Sequence, residues 1–233
     1  MSARCLLRPD IKTVGFSVEN RPISLYLYGN EKIKTERHKL NTLFIGVFHG
    51  DEGISAQLLL RWVNHMENTG LKDNNFPPFG IIPVLNPDGH IKNQRVNANG
   101  VDLNRNYPTK DWQEENKGTI YYSGKSPASE PETQTLLSVL EQYQPGKIIT
   151  VHSPYKVINF DGPARGLAEA MGKASGYPVT EDIGYATPGS FGTYLGKERH
   201  LAVITLELPD QEEIDERVWQ DNHPSLEAAL LYS

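Results

Sequence analysis

The sequence predicts an α/β fold with helices on both faces of a central sheet, and two observations carry this. Short β-rich runs alternate with helical patterns along the 233 residues, the signature of an α/β domain. Several runs are continuously apolar, as in Leu43-Phe-Ile-Gly-Val-Phe48 and Leu201-Ala-Val-Ile-Thr-Leu206. Strands of that kind are covered by helices on both sides.

In chain order, strands are expected at 23–28, 42–48, 80–85, 147–151, 157–160 and 201–206. Helical patterns follow at 53–67, 131–143, 165–175 and 225–232. Ser129 is the expected N-cap of the second helix, with Glu130 and Glu132 suited to its dipole. The acidic stretch Asp210-Gln-Glu-Glu-Ile-Asp-Glu216 is expected to be a solvated helix face. The stretch from Asn86 to Ser126 is rich in Asn, Asp, Gly and Pro and has little apolar periodicity. An insert of that length within a domain is usually functional when ordered. With no internal repeat, low-complexity segment or linker, residues 1–233 are expected to form a single catalytic-size domain.

Hydrophobic residues make up 38% and charged residues 22%, an ordinary globular profile. The net charge of -6 and the lack of a long basic run disfavour nucleic-acid partners. Cys5 is the only cysteine, which excludes an intrachain disulfide and a Cys-ligated zinc site. The N-terminal residues lack the apolar run of a secretory signal, and no stretch approaches the roughly 20 apolar residues of a membrane span. A cytoplasmic protein with no membrane partner is expected.

His49 closes the apolar run Phe44-Ile-Gly-Val-Phe48, and Glu52 follows at the turn into a helix. A chain leaving a strand this way can aim both side chains at one point beyond the sheet edge, where α/β sheets bind ligands. His152 ends Ile148-Ile-Thr-Val151 in the equivalent way. Two His and one carboxylate leave a fourth position for water, which is the pattern of a catalytic zinc site. Taken alone, His-x-x-Glu also arises by chance, and a lone His152 also suits a hydrogen-bonded core residue. The remaining histidines (His38, His65, His90, His200 and His223) lack this placement and read as surface or structural residues.

The ordered set His49-x-x-Glu52, Asn86-Pro-Asp-Gly89, Asn99-Gly-Val-Asp-Leu-Asn104-Arg105-Asn106, His152 and Thr205-Leu-Glu207 resembles the carboxypeptidase A family of zinc peptidases, from about residue 42 to 208. The resemblance implies a three-layer α/β/α fold with a central mixed sheet and one zinc ion held by His49, Glu52 and His152. It implies that Glu207 is the general base; read without it, a Glu at a strand end is a solvated cap. Arg95 would steady the developing oxyanion, although the segment between Asn86 and Asn104 is shorter than in digestive carboxypeptidases. Asn104 and Arg105 would grip a terminal carboxylate, a task suited to the planar guanidinium fork. Tyr185 matches the mobile tyrosine that closes over substrate, and equally reads as a loop tyrosine packing its ring. The stretch Thr187-Pro-Gly-Ser-Phe-Gly-Thr193 would line the side-chain pocket.

Within that family the features are most similar to the murein tripeptide amidase subgroup. That likeness implies hydrolysis of the γ-D-glutamyl to meso-diaminopimelate bond in L-Ala-γ-D-Glu-meso-diaminopimelate, during cytoplasmic recycling of cell-wall peptide. Glu181, Asp182 and Thr187 lie near the region that would meet the far end of the leaving residue. Three other readings stand beside it: an acyl-amino-acid hydrolase resembling aspartoacylase or succinylglutamate desuccinylase, a metallocarboxypeptidase of different specificity, and a metal- or peptide-binding module without turnover.

Overall fold

The computed structural model describes residues 7–29, 39–70, 76–181 and 184–233; Cys5, His38 and Asp182 lie outside them. Its strands are β1 (Asp10–Phe16), β2 (Pro22–Tyr28), β3 (Thr42–Gly46), β4 (Phe79–Ile82), β5 (Lys147–His152), β6 (Tyr155–Asp161), β7 (Val179–Thr180) and β8 (Ala202–Pro209). They form one 8-stranded sheet in the order β1-β2-β4-β3-β5-β8-β6-β7. The inner strands β4, β3, β5 and β8 are mutually parallel, whereas β2 and β6 run antiparallel to their inner neighbours. The sheet is therefore mixed.

Alternation along the central strands divides the core in two. Phe44, Ile149, Val151, Ile204 and Leu206 point to one face, where α1 (Gly53–Thr69), α4 (Arg165–Ser175) and α5 (Glu216–Leu231) cover them. Leu43, Ile45, Ile148 and Val203 point to the other. That face is covered partly by α3 (Pro131–Tyr143) and partly by the loops and short helical turns carrying Leu103, Tyr107 and Phe191, the last at the start of the helical stretch 191–199. Because side chains alternate, His152 and Glu207, at the ends of β5 and β8, belong to this loop-covered face.

The expected elements are present, with differences at their ends. β3 stops at Gly46 because Val47 takes φ 50, and β4 stops at Ile82, just before Pro83. The N-cap of α3 is Glu130, with Pro131 in the first turn; Ser129 instead donates its hydroxyl to the Glu130 carboxylate. α5 starts at Glu216, earlier than expected, and runs through Pro224. The stretch before it is a loop that ends in Asp215, whose carboxylate caps α5 through Val218 N–H, so it is not a helix face. Among the described residues, no helix is long and apolar enough to cross a membrane.

Candidate active site

After β3 the chain turns at Val47, in a left-handed conformation that β-branched residues seldom adopt. The turn is held by Val47 N–H donating to Ser55 Oγ at 2.9 Å and by Asn86 N–H donating to the Val47 carbonyl at 2.9 Å. It brings His49 back over the end of the sheet, and Glu52 lies at the N-terminus of α1. His152, the last residue of β5, pairs in register with Glu207 of β8.

These elements converge. His49 Nδ1 lies 2.6 Å from Glu52 Oε1, and His152 Nδ1 lies 2.8 Å from Glu52 Oε2. The three side chains are buried, and their candidate ligand atoms lie within 4.8 Å of one another. Behind His49 stands Asp102, fully buried, whose Oδ1 is 3.2 Å from His49 Nε2 and accepts from Asn104 N–H at 2.8 Å. Its Oδ2 accepts from Arg95 Nε at 3.0 Å and Nη2 at 2.9 Å. Arg95 Nη1 in turn lies 4.0 Å from Glu52 Oε1.

Burial alone would raise the Glu52 and Asp102 carboxyls, but the neighbouring imidazoles outweigh it and hold both below the usual range. Burial likewise disfavours charge on His49, yet Glu52 and Asp102 push its pKa up to about 9. The Glu52 carboxylate, buried between the two imidazoles, thus favours positive charge there, while Asp102 is already paired with Arg95. A divalent cation supplies that charge, and the donor set of two imidazoles and a carboxylate suits zinc. Across the cluster, Glu207 is buried and its Oε2 has no hydrogen-bond partner among the described residues. Burial pushes its carboxyl up, opposed by His152.

A cavity of about 620 Å³ opens above this group, and His49, Glu52, Arg95, Asn104, Arg105, His152, Tyr185 and Glu207 all line it. The Asn104 side-chain oxygen accepts from Phe191 N–H at 2.9 Å, which leaves its nitrogen as the group able to donate to a ligand. Arg105 Nη1 donates to the Asn104 carbonyl at 2.7 Å. Tyr185 is half exposed and faces Tyr155. Of the stretch expected to line the pocket, Thr187, Pro188, Ser190 and Gly192 do so, whereas Phe191 is packed in the core and Gly189 lies against the Arg105 backbone.

The insert from Asn86 to Ser126 contains a short helix, α2 (Pro87–Lys92), and is tied down by buried polar side chains. Asn86 caps α2 through Gly89 N–H, and Asp88 accepts from Ser17, Glu19 N–H and Arg21. Asn97 donates to both Glu130 and Glu132, and Asn106 to the carbonyls of Ser123 and Ser126. The Asn-Pro-Asp-Gly element is thus an anchor for the loop, outside the cavity.

Sequence reasoning did not single out Asp102, Asn159, Asp161, Lys197 or Thr205, which join the site here. Asp161 carried a weak signal, since it ends a partly apolar strand. Among the other histidines, His65 and His223 stack around Trp219, and His90 faces the Gly50 carbonyl.

A mixed sheet with a buried His-Glu-His cluster at the ends of its parallel strands is the framework of a metallopeptidase. The chain belongs to the zinc carboxypeptidase family, whose model matches residues 5–169. It is 36% identical over 181 residues to murein peptide amidase A of Vibrio campbellii, covering 72% of this chain and 68% of that one. Murein peptide amidase A of Escherichia coli K12 is 36% identical over 178 residues, with 72% of this chain and 70% of the relative covered. The crystal structure of murein-tripeptide amidase from Escherichia coli O157 matches with a TM-score of 0.73 and 26% identity, over 97% of this chain and 96% of that one. Carboxypeptidase A from Helicoverpa armigera, at TM-score 0.78 and 17% identity over 95% of this chain and 68% of that one, shares the fold.

Proposed function

We propose that this metallopeptidase is a zinc-dependent amidase that cleaves the γ-D-glutamyl to meso-diaminopimelate bond of L-Ala-γ-D-Glu-meso-diaminopimelate, acting in the cytoplasm on cell-wall peptide being recycled. The observation that carries the reading is the union, in one cavity, of a His-Glu-His cluster suited to a cation, a buried carboxylate with one free oxygen and an Asn-Arg pair. The likeness to murein peptide amidase A supports the choice of substrate. The proposal treats residues 1–233 as one catalytic domain.

His49, Glu52 and His152 would hold the zinc ion, which when bound polarises the scissile carbonyl and acidifies a water. With its Nε2 proton donated to Asp102, His49 presents the Nδ1 lone pair toward the cluster, an arrangement that orients a ligand imidazole. Glu207 takes a proton from the attacking water at its free Oε2 and delivers it to the leaving nitrogen. Arg95, oriented by Asp102, offers its remaining Nη1 to the carbonyl oxygen as charge develops there. The Asn104 amide nitrogen and the Arg105 guanidinium hold the α-carboxylate of the departing residue. Tyr185, at the rim, closes over the bound peptide.

The test is an assay of zinc-loaded protein on the diaminopimelate tripeptide, with the lysine-ended tripeptide and N-acetyl-aspartate as comparators. Release of diaminopimelate that is lost on chelation, and faster than release of lysine, is expected. Turnover of N-acetyl-aspartate without cleavage of either tripeptide would move the protein to the acyl-amino-acid hydrolases.

A further inference from the structure

The cavity has a second charged end. β6 runs antiparallel to β8, with Val157 opposite Glu207, Asn159 opposite Thr205 and Asp161 opposite Val203. Alternate residues of a strand share a face, so Asn159, Thr205 and Asp161 continue the row that begins at Glu207, and all of them line the cavity. The Asp161 rung stands about 13 Å from the Glu207 rung, at ~3.3 Å per residue. That separation suits a long side chain whose α-carbon lies near the metal cluster.

The Asp161 side chain is only 12% exposed. It occupies space left by two glycines: a Cβ on Gly192 would come 2.2 Å from its Oδ2, and one on Gly196 would come 2.4 Å from its Cβ. The segment over the cavity therefore makes room for a carboxylate where it could have covered the floor with apolar side chains. Lys197 is the ion-pair partner of Asp161, with Nζ 3.5 Å from Oδ1 and a side chain 60% exposed. This is a long contact for a charge-assisted bond, between an acceptor that is nearly buried and a donor that is mostly in water. Burial pushes the Asp161 carboxyl up, and Lys197 only partly opposes it. The carboxylate has capacity for a second cationic donor, and the ammonium has capacity for a second anion.

We propose that Asp161 and Lys197 read the far end of the leaving residue's side chain, Asp161 accepting from its ammonium and Lys197 donating to its carboxylate. The pocket thereby selects a side chain that itself ends as an amino acid. The assignment rests on the amidase reading and deepens it by naming the groups that set its substrate. A lysine side chain satisfies Asp161 and leaves Lys197 unmatched, and a neutral aliphatic side chain satisfies neither. Sites built around buried polar groups discriminate strongly against analogues that leave those groups unpaired.

The experiment compares kcat/KM of wild type, Asp161→Asn and Lys197→Met on tripeptides ending in meso-diaminopimelate, lysine and norleucine. Asp161→Asn is expected to lower the diaminopimelate-to-norleucine ratio by about tenfold or more, as loss of a charged hydrogen bond implies. Lys197→Met is expected to bring the diaminopimelate-to-lysine ratio close to one. Lys197 is largely exposed, so this variant decides the matter even if Asp161→Asn fails to fold. Variants that keep the wild-type ratios within about twofold, well short of that loss, overturn the assignment and leave the amidase reading standing. A wild type that releases no diaminopimelate overturns the amidase reading and the assignment together.

Discussion

Replacing Glu207 by Gln separates chemistry from folding, because the substitution changes charge and leaves shape. The side chain is 8% exposed and its Oε2 has no hydrogen-bond partner among the described residues, so the amide occupies the same space without displacing a neighbour. Burying an ionised carboxylate with one oxygen unpartnered costs more than burying an amide, so the melting temperature of Glu207→Gln is expected to equal or exceed that of wild type. Turnover is expected to fall by about 10²–10⁴-fold, the usual contribution of a positioned proton-transfer group. That loss corresponds to ~3–5 kcal/mol of barrier. The His49, Glu52 and His152 cluster keeps its internal contacts, so the variant is expected to retain its zinc. Diaminopimelate release, zinc content and thermal unfolding are measured on the same preparation. A variant with turnover within about tenfold of wild type, less than the smallest loss expected of a general base, would refute the role of Glu207. Loss of zinc would refute the argument that the cluster stands without it.

Asp102→Asn should weaken zinc affinity by about 10–100-fold, read by competition with a chromogenic chelator, since Asp102 orients both His49 and Arg95. Unchanged affinity would remove Asp102 from the metal site. Lys147, buried at the start of β5, donates to the Tyr232 carbonyl, and burial lowers its pKa from 10.5 to about 8. Its folded state binds the proton less tightly than the unfolded chain, so the charge costs stability below about pH 8 and the cost is relieved as pH rises from 8 toward 10.5. The stability of wild type relative to Lys147→Met should therefore rise across that window, and a flat difference in melting temperature would contradict it.

Three of the residues legible in the sequence share one signal, a polar side chain closing an apolar run. His49, His152 and Glu207 all carry it, and their spacing within a known set of motifs gave each a role. Asp161 carries a weaker form of the signal, its run interrupted by Asn159, and has no motif around it, so its meaning comes only from the register that sets β6 beside β8. Asp102 lies inside the Asn99–Asn106 motif yet reads as loop from sequence, because its importance depends on contact with His49, a tertiary fact. The edge strand β1 was missed since most of its residues face solvent and Ile11 and Phe16 remain exposed. The first half of α5 was hidden by Pro224, which reads as a helix breaker; the helix carries it within its span.

A site placed on irregular backbone must obtain its rigidity from something other than ladder hydrogen bonds. Here buried Asn and Asp side chains supply it. A buried polar group needs its partners, and each of these residues has partners distant in sequence, so the loop has few conformations that satisfy all of them. Arg95 lies between the anchors Asp88 and Asn97, and Asn104 and Arg105 lie between Asp102 and Asn106. Arg95, Asn104 and Arg105 are thus each flanked on both sides by buried polar anchors. The insert is long because it must reach from the sheet edge to the cavity, and rich in Asn and Asp because those residues are its internal joints. The composition that made the segment look like an unstructured loop is the composition that fixes it.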